Sequence, residues 1–368
     1  MANKVKIGII GVGQIGKHHV EHYFANIPEA EVVAIADIDE KEARRVAGMY
    51  KIPRVFTNLR DLLKIDEIRA VDVCLHNNLH APVTIASLKA GKDVYCEKPM
   101  AGSYRDAQAM HDAAKKLKRK LSVQLSTLFS IETKAAKRLI DGGELGRPYY
   151  AKSSAYRRRG RPYVDGYGTA NFVQKKIAAG GALYDMGVYH IAQILYLLGN
   201  PKVLTVTGAT HQEIEMYEER RRASKYDVEE LGVGLIRLAG GITFFLEESW
   251  AIHTGGTDGS KILGAKGGIN LQPFGFFRTL CDMEMNASFD LNDADLRWHR
   301  CAPQTRAYDS AQHHWVHALL GRVELIDTAG IALNTMKISE GIFLSAGKKG
   351  EVTAAQIEKE SKSTCLKL

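Results

Sequence analysis

The chain has 368 residues, 45% hydrophobic and 25% charged, with a formal net charge of +8. That length favours two domains over one core, and the ordinary composition excludes a disordered or fibrous chain. No apolar run reaches the ~20 residues of a membrane helix, and the five cysteines form no CxxC pair, so neither a membrane span nor a metal site is expected.

Val5-Lys6-Ile7-Gly8-Ile9-Ile10 is β-branched and apolar, and it predicts a strand buried on both faces. It begins too early for a signal peptide, so a cytoplasmic location is expected. Gly11-Val12-Gly13-Gln14-Ile15-Gly16 follows at once, then a helix over Lys17 to Ala25. In this G-x-G-x-x-G frame Gly11 makes the tight turn, Gly13 lets backbone amides approach a pyrophosphate, and Gly16 packs helix on strand. Gly11, Gly13, Gln14, Ile15 and Gly16 therefore form the first part of a cofactor set. A second strand, Glu31 to Ala36, ends at Asp37, about 20 residues past Gly16, where a carboxylate meets an adenosine ribose. Asp37 would repel a 2′-phosphate and Asp39 adds negative charge, so NAD is favoured over NADP.

The βα alternation continues through a helix at Glu40 to Tyr50, a short strand at Arg54 to Phe56 and a helix capped by Asn58. Val71 to Leu75 is the next buried strand. Pro82 suits the first turn of the helix after it, which runs to Ala90. Asp93 to Cys96 leads into Glu97-Lys98-Pro99, Ser103 opens a helix, and Leu121 to Leu125 closes the sheet. Asn78, His80, Glu97 and Lys98 stand at carboxyl ends of strands, where ligands of open α/β sheets collect, and they complete the cofactor set. Residues 1–125 read as a dinucleotide-binding domain.

Glu132 to Gly142 reads as a linking helix and Pro148 to Tyr156 as the first strand of a second domain, residues 126–352. Strand candidates at Lys202 to Gly208, Leu231 to Leu238, Ile242 to Trp250, Lys261 to Gly264 and Gly268 to Gln272 are spaced as a meander. The apolar-striped helix Thr328 to Ala346 should return to the first domain. Glu358 onward is charged and shows no core face, and a tail, 353–368, is expected to be mobile. Basic residues cluster at Lys115 to Lys120, Arg157 to Arg161 and Arg220 to Arg222 without interleaved aromatics, which argues against nucleic acid as a partner.

Gly11-x-Gly13-x-x-Gly16, Asn78-Leu79-His80, Glu97-Lys98-Pro99 and Gly180-Gly181-Ala182-Leu183-Tyr184-Asp185-Met186-Gly187 together resemble the glucose–fructose oxidoreductase and inositol dehydrogenase (Gfo/Idh/MocA) family. The resemblance covers Val5 to about Val352. It implies an α/β chain: an N-terminal Rossmann domain plus a C-terminal α+β domain with a large, mostly antiparallel open sheet. The open face of that sheet commonly makes the oligomer contact, so a homodimer or homotetramer is expected. The sequence departs from the family at Asn77, where many members carry proline, and at Leu128, near which many carry arginine. The third glycine of the later motif is Ala182. The usual histidine four places after Asp185 is Tyr189, with His190 beside it.

Hydride transfer needs a group to take the hydroxyl proton. Lys98, partly desolvated beside a cofactor, can have a lowered pKa and shuttle it. Asp185 and Tyr189, four apart on a helix, face one cleft together, while His190 is turned ~100° away toward packing. A cationic Lys98 makes the Tyr189 phenolate more accessible, which sets the catalytic expectation as Lys98, Asp185 and Tyr189. Arg158 faces opposite to Arg157 and Arg159; one or more of them can enter the cleft and bond a polyol or a carboxylate, with Arg157 and Arg159 taken as substrate residues beside Lys98, Asp185, Tyr189 and His190, or the three form an exposed basic strand end. The expected activity is NAD-dependent oxidation of a sugar, sugar derivative or cyclitol. The alternatives are a redox-neutral lyase or glycosidase that oxidises the sugar transiently, and a cofactor-bound regulator without turnover.

Overall fold

The computed structural model describes residues 4–256 and 259–368. Its first layer alternates β1 (Val5–Ile10), α1 (Gln14–Asn26), β2 (Ala30–Ala36), α2 (Glu40–Tyr50), β3 (Arg54–Phe56), α3 (Leu59–Leu63), β4 (Ala70–Val73), α4 (Asn77–Lys89), β5 (Asp93–Cys96), α5 (Tyr104–Leu117) and β6 (Leu121–Val123). The six strands lie parallel in the order β3-β2-β1-β4-β5-β6. The order reverses between β1 and β4, which opens a crevice at their carboxyl ends. Asn58 and Ser103 cap α3 and α5 through side-chain oxygens, as their spacing predicts.

Pro82 lies inside α4 and not in its first turn, because the helix already begins at Asn77. A proline there has no N–H to give the carbonyl of Asn78. That carbonyl accepts instead from the N–H of Leu366, at 3.1 Å.

The second layer comprises α6 (Ile131–Asp141), β7 (Pro148–Tyr156), α7 (Lys175–Ala178), α8 (Val188–Leu197), β8 (Val203–His211), α9 (Glu218–Ser224), β9 (Leu231–Leu238), β10 (Ile242–Ser249), β11 (Lys261–Gly264), β12 (Gly268–Leu271), β13 (Phe274–Leu280), β14 (Met283–Ala287), α10 (Leu291–Cys301), α11 (Ala311–Leu319), α12 (Thr328–Lys348), β15 (Val352–Thr353) and α13 (Ala354–Glu360). Its nine strands are ordered β14-β13-β12-β11-β7-β10-β9-β8-β15. Every pair is antiparallel except β7 with β10. The expected single meander is thus two, joined through β7, which enters the middle of the sheet before either is built.

Helices α8 and α12 cover one face of this sheet. A Cβ on Gly234 would stand 3.0 Å from Ile342 Cδ1, so the glycine lets α12 press close. The same helix returns to the first domain, where Thr328 Oγ1 accepts the Val123 N–H at 2.9 Å and extends the edge of β6. One buried core runs from sheet to sheet.

The residues after β15 are tied to the rest of the chain by packing and by hydrogen bonds. Thr353 and Gln356 form a capping box for α13, and Ile357 is fully buried. Beyond it, the Ser361 hydroxyl donates to Glu340, and Asp106 accepts the Thr364 N–H at 2.8 Å. One apolar residue among charges escapes a periodicity search, and the remaining anchors are hydrogen bonds.

Candidate active site

The three glycines after β1 separate by geometry. Gly11 has φ +92°, and a Cβ there would lie 2.3 Å from the Cys74 carbonyl oxygen. A Cβ on Gly16 would lie 2.0 Å from the Gly11 carbonyl oxygen. At Gly13 nothing lies within 4 Å, so the turn is tight at its ends and open in its middle. No side chain caps α1, and Gln14 and Ile15 are exposed on its first turn. Uncapped N–H groups with a positive dipole end suit a pyrophosphate. Past β2, Asp37 accepts the Val12 N–H at 2.7 Å through Oδ2 and the Asp39 N–H at 2.9 Å through Oδ1. Its carboxylate is held beside the turn, next to an Ile38 side chain that is 94% exposed. The residues present fit a dinucleotide.

The polar residues after β4 are placed differently from their reading as ligands. His80 is fully buried, with Nδ1 2.7 Å from the Pro99 carbonyl and Nε2 3.0 Å from that of Leu75. Both ring nitrogens are taken up by backbone, so His80 fastens one strand-end loop to the next. Asn77 and Asn78 donate through Nδ2 to the carbonyls of Ala178 and Lys176, at 2.7 and 3.1 Å, and tie α4 to α7. The Oδ1 of Asn78 is buried without a hydrogen-bond partner among the described residues. Glu97 is also turned inward, toward His19.

Lys98 is where the two domains meet. Its Nζ donates to Asp185 Oδ1 at 2.9 Å and to the Asp185 carbonyl at 3.1 Å, and stands 4.7 Å from the centre of the Tyr189 ring. Asp185 Oδ2 accepts from Trp250 Nε1 at 3.0 Å, with Arg157 3.8 Å away. Asp185 lies in a π turn, Leu183–Gly187, which runs directly into α8. Turns of that kind recur at functional sites. Glu229 holds the start of this turn, accepting the Gly181 N–H at 2.8 Å and the Leu183 N–H at 3.0 Å.

Protonation differs from the expectation on two counts. Burial works to lower the Lys98 pKa, but the Asp185 carboxylate beside it outweighs that and raises it, so the side chain stays an ammonium. Burial also raises the Tyr189 pKa, and Lys98 only partly offsets it. Asp185 is held low despite its burial, by Lys98 above all. The site at rest thus presents two protonated donors and one carboxylate.

His190 is turned to the second sheet. Its Nδ1 lies 2.9 Å from Glu248 Oε2, and Ser153 donates to the other Glu248 oxygen at 2.7 Å. Arg157 hydrogen-bonds the Tyr167 hydroxyl and the Gly160 carbonyl and borders Asp185. Arg159 points to Asp165, 3.9 Å away, and stacks over Tyr217 at 5.3 Å, so it is not brought to Lys98.

Sequence reasoning passed over Trp250, Glu229 and Glu248, which act on Asp185, its turn and His190; Glu248 lies in β10, Trp250 directly after it and Glu229 in the loop before β9. It also passed over His19. That one had a signal: it shares the apolar face of α1 with Gly16, Val20 and Tyr23, opposite Asp72 in an apolar strand.

Residues 5–125 match the family model described as oxidoreductase family, NAD-binding Rossmann fold, and residues 133–270 match the GFO/IDH/MocA C-terminal domain. The chain belongs to the Gfo/Idh/MocA family. As in that family, its first domain is an NAD-binding Rossmann domain of an oxidoreductase. The D-glucoside 3-dehydrogenase of Escherichia coli (strain K12) is 29% identical over 257 residues, 68% of this chain and 72% of that protein. The inositol 2-dehydrogenase of Salmonella typhimurium (strain LT2) is 31% identical over 154 residues, 41% of this chain and 46% of the relative, so the likeness spans about half of that protein. Among solved structures, levoglucosan dehydrogenase in complex with NADH and levoglucosan shares the fold with a TM-score of 0.78. It is 21% identical and covers 96% of this chain and 100% of its own. These relatives are dehydrogenases of sugars and of a cyclitol.

Proposed function

We propose that this Gfo/Idh/MocA member is an NAD-dependent dehydrogenase that interconverts a hydroxyl and a keto carbon on a sugar, sugar derivative or cyclitol. The observation that carries the reading is the convergence of Lys98, Asp185 and Tyr189 from two domains at the carboxyl ends of the parallel strands. We assign residues 1–125 to the cofactor and 126–352 to the substrate.

Gly11, Gly13, Gln14, Ile15 and Gly16 would hold the pyrophosphate and Asp37 the adenosine ribose. NAD, when bound, supplies the hydride acceptor. Lys98 donates a hydrogen bond to the reacting oxygen, and Tyr189 exchanges the proton with it. Asp185, gripped by Lys98 and Trp250, accepts from a neighbouring hydroxyl and fixes the pose. Arg157 adds a donor at the rim. A substrate with adjacent hydroxyls matches this set, because one must reach Lys98 and Tyr189 while the next reaches Asp185.

A panel of sugars and cyclitols, read by NADH absorbance, tests the proposal. NADH should accumulate with at least one polyol, and Lys98→Met should abolish that while NAD still binds. Turnover of a sugar with no net NADH would overturn it in favour of redox-neutral elimination.

We further propose a homodimer or homotetramer through the uncovered face of the second sheet, where Leu235 and Phe277 are 37% and 38% exposed. Light scattering that gave a monomer at micromolar concentration would reject this. We place the protein in the cytoplasm, where its five free cysteines match reducing conditions.

A further inference from the structure

Beneath the glycine turn lies a cluster of ionisable groups that the proposed chemistry does not use. His19, on the buried face of α1, is only 2% exposed. Its Nδ1 lies 2.9 Å from Asp72 Oδ2 and its Nε2 2.9 Å from Glu97 Oε1. Cys74 donates its thiol to the other Asp72 oxygen at 3.3 Å, and Tyr95 packs on the ring at a centroid distance of 6.0 Å. Tyr23, also buried, completes the surroundings from the same helix as His19. An imidazole nitrogen facing a carboxylate must carry the proton, so both ring nitrogens are donors and the ring is a cation. The second oxygen of Glu97 accepts the backbone N–H of Lys98 at 2.9 Å. Charges therefore alternate along one line: Asp72, His19, Glu97, Lys98, Asp185.

We propose that His19 is a positioning residue for Lys98: held as an imidazolium between Asp72 and Glu97, it fixes the Glu97 carboxylate against the Lys98 backbone and so aims the Lys98 ammonium at Asp185. The role rests on the dehydrogenase reading only in its consequence for rate. The geometry stands without it. A neutral side chain at position 19 would leave Glu97 an unmatched buried carboxylate on the Lys98 backbone N–H, free to draw the ammonium toward itself or to take a proton and release that N–H. Asp72 is the anchor at the far end, since the ring could not serve Glu97 at Nε2 with a fixed orientation unless Nδ1 were held. This is the logic by which outer partners orient the groups that touch substrate.

The test uses the full-length protein and two readouts. The first needs no turnover: side-chain nitrogen NMR of the free protein. Both His19 nitrogens should remain protonated at about pH 8, where an unperturbed histidine is neutral. The Lys98 ammonium resonance should move in His19→Gln and in Glu97→Gln, and stay in place in His22→Gln on the same helix. A neutral His19 ring, or an unmoved Lys98 signal in both variants, overturns the proposal whether or not a substrate has been found. Should His19→Gln fail to fold, Glu97→Gln carries the same comparison.

The second readout is kinetic. His19→Gln should lower kcat about 10- to 100-fold, the range for lost outer partners, with NADH affinity within about twofold of wild type and an altered kcat–pH profile. The double variant His19→Gln with Glu97→Gln should be no slower than the slower single, because the two act in one line. A loss of thermal stability with kcat and pH profile unchanged would mean a structural ion cluster and nothing more. Losses that multiply would mean independent roles.

Discussion

Tyr189 gives the sharpest test of the chemistry through the pH dependence of each direction. Burial raises its phenol pKa above the ordinary value of 10 and Lys98 does not cancel the rise. Near neutrality the group is therefore a ready acid and a rare base. Ketone reduction uses the acid form and should run at a pH-independent rate across the neutral range. Alcohol oxidation uses the base form, which at pH 7 is at most about one molecule in a thousand. Its kcat should climb about tenfold per pH unit, roughly 10³ between pH 7 and 10, with no plateau in between. The assay is steady-state oxidation and reduction of one substrate pair in a constant-ionic-strength buffer series, on wild type and on Tyr189→Phe and His190→Asn. Tyr189→Phe should remove the slope and cost ~10²–10⁴ in kcat at the alkaline end. His190→Asn should keep the slope with a smaller loss, because its ring is committed to Glu248 in the sheet. A plateau reached by pH 7 that survives in Tyr189→Phe and vanishes in His190→Asn would refute this and make the His190–Glu248 pair the proton acceptor.

Asp37→Ser should narrow the kcat/KM gap between NAD and NADP. It should also weaken NAD itself, since the Val12 N–H loses its acceptor; a wild type that works equally well with NADP would reject the assignment. Glu229 is buried, and burial pushes its pKa from 4.5 up to about 7. A raised carboxyl pKa stabilises the fold below 4.5, and the contribution is lost as pH rises through 7. About 3 kcal/mol of the wild-type stability should disappear over that window in denaturant titrations, and Glu229→Gln should flatten the dependence; parallel curves would contradict the cause. Ile357→Ser should lower the unfolding free energy by about 3 kcal/mol and expose the tail to proteases. A change below ~0.5 kcal/mol would show that the tail's packing adds nothing.

Most of the first domain was legible because each strand is an apolar run closed by a recognisable cap or turn, and Asn58, Ser103 and the three glycines each serve as their spacing implies. Lys98, Asp185 and Tyr189 were legible as a set through motif and resemblance, and the structure brings them together. What escaped is of two kinds. His80 and Glu97 stand at the right strand ends but point into the protein, and position along a strand does not reveal side-chain direction. The pKa directions of Lys98 and Tyr189 depend on burial and on one carboxylate 87 positions away from the lysine, a quantity set by packing. The order of the second sheet was hidden too, since β7 and β10 are neighbours in space and remote in sequence.

The bond from Leu366 to Asn78, and that from Val123 to Thr328, bear on how the protein is made. During synthesis the parallel sheet leaves the ribosome complete in strands, yet β6 lacks the acceptor for its Val123 N–H and α4 lacks the donor for its interrupted carbonyl. Both are supplied by the last part of the chain. The nucleotide-binding half therefore completes these two bonds only once residues 328–366 have emerged, and nascent chains stalled before Thr328 should be more open to chaperones and to proteolysis.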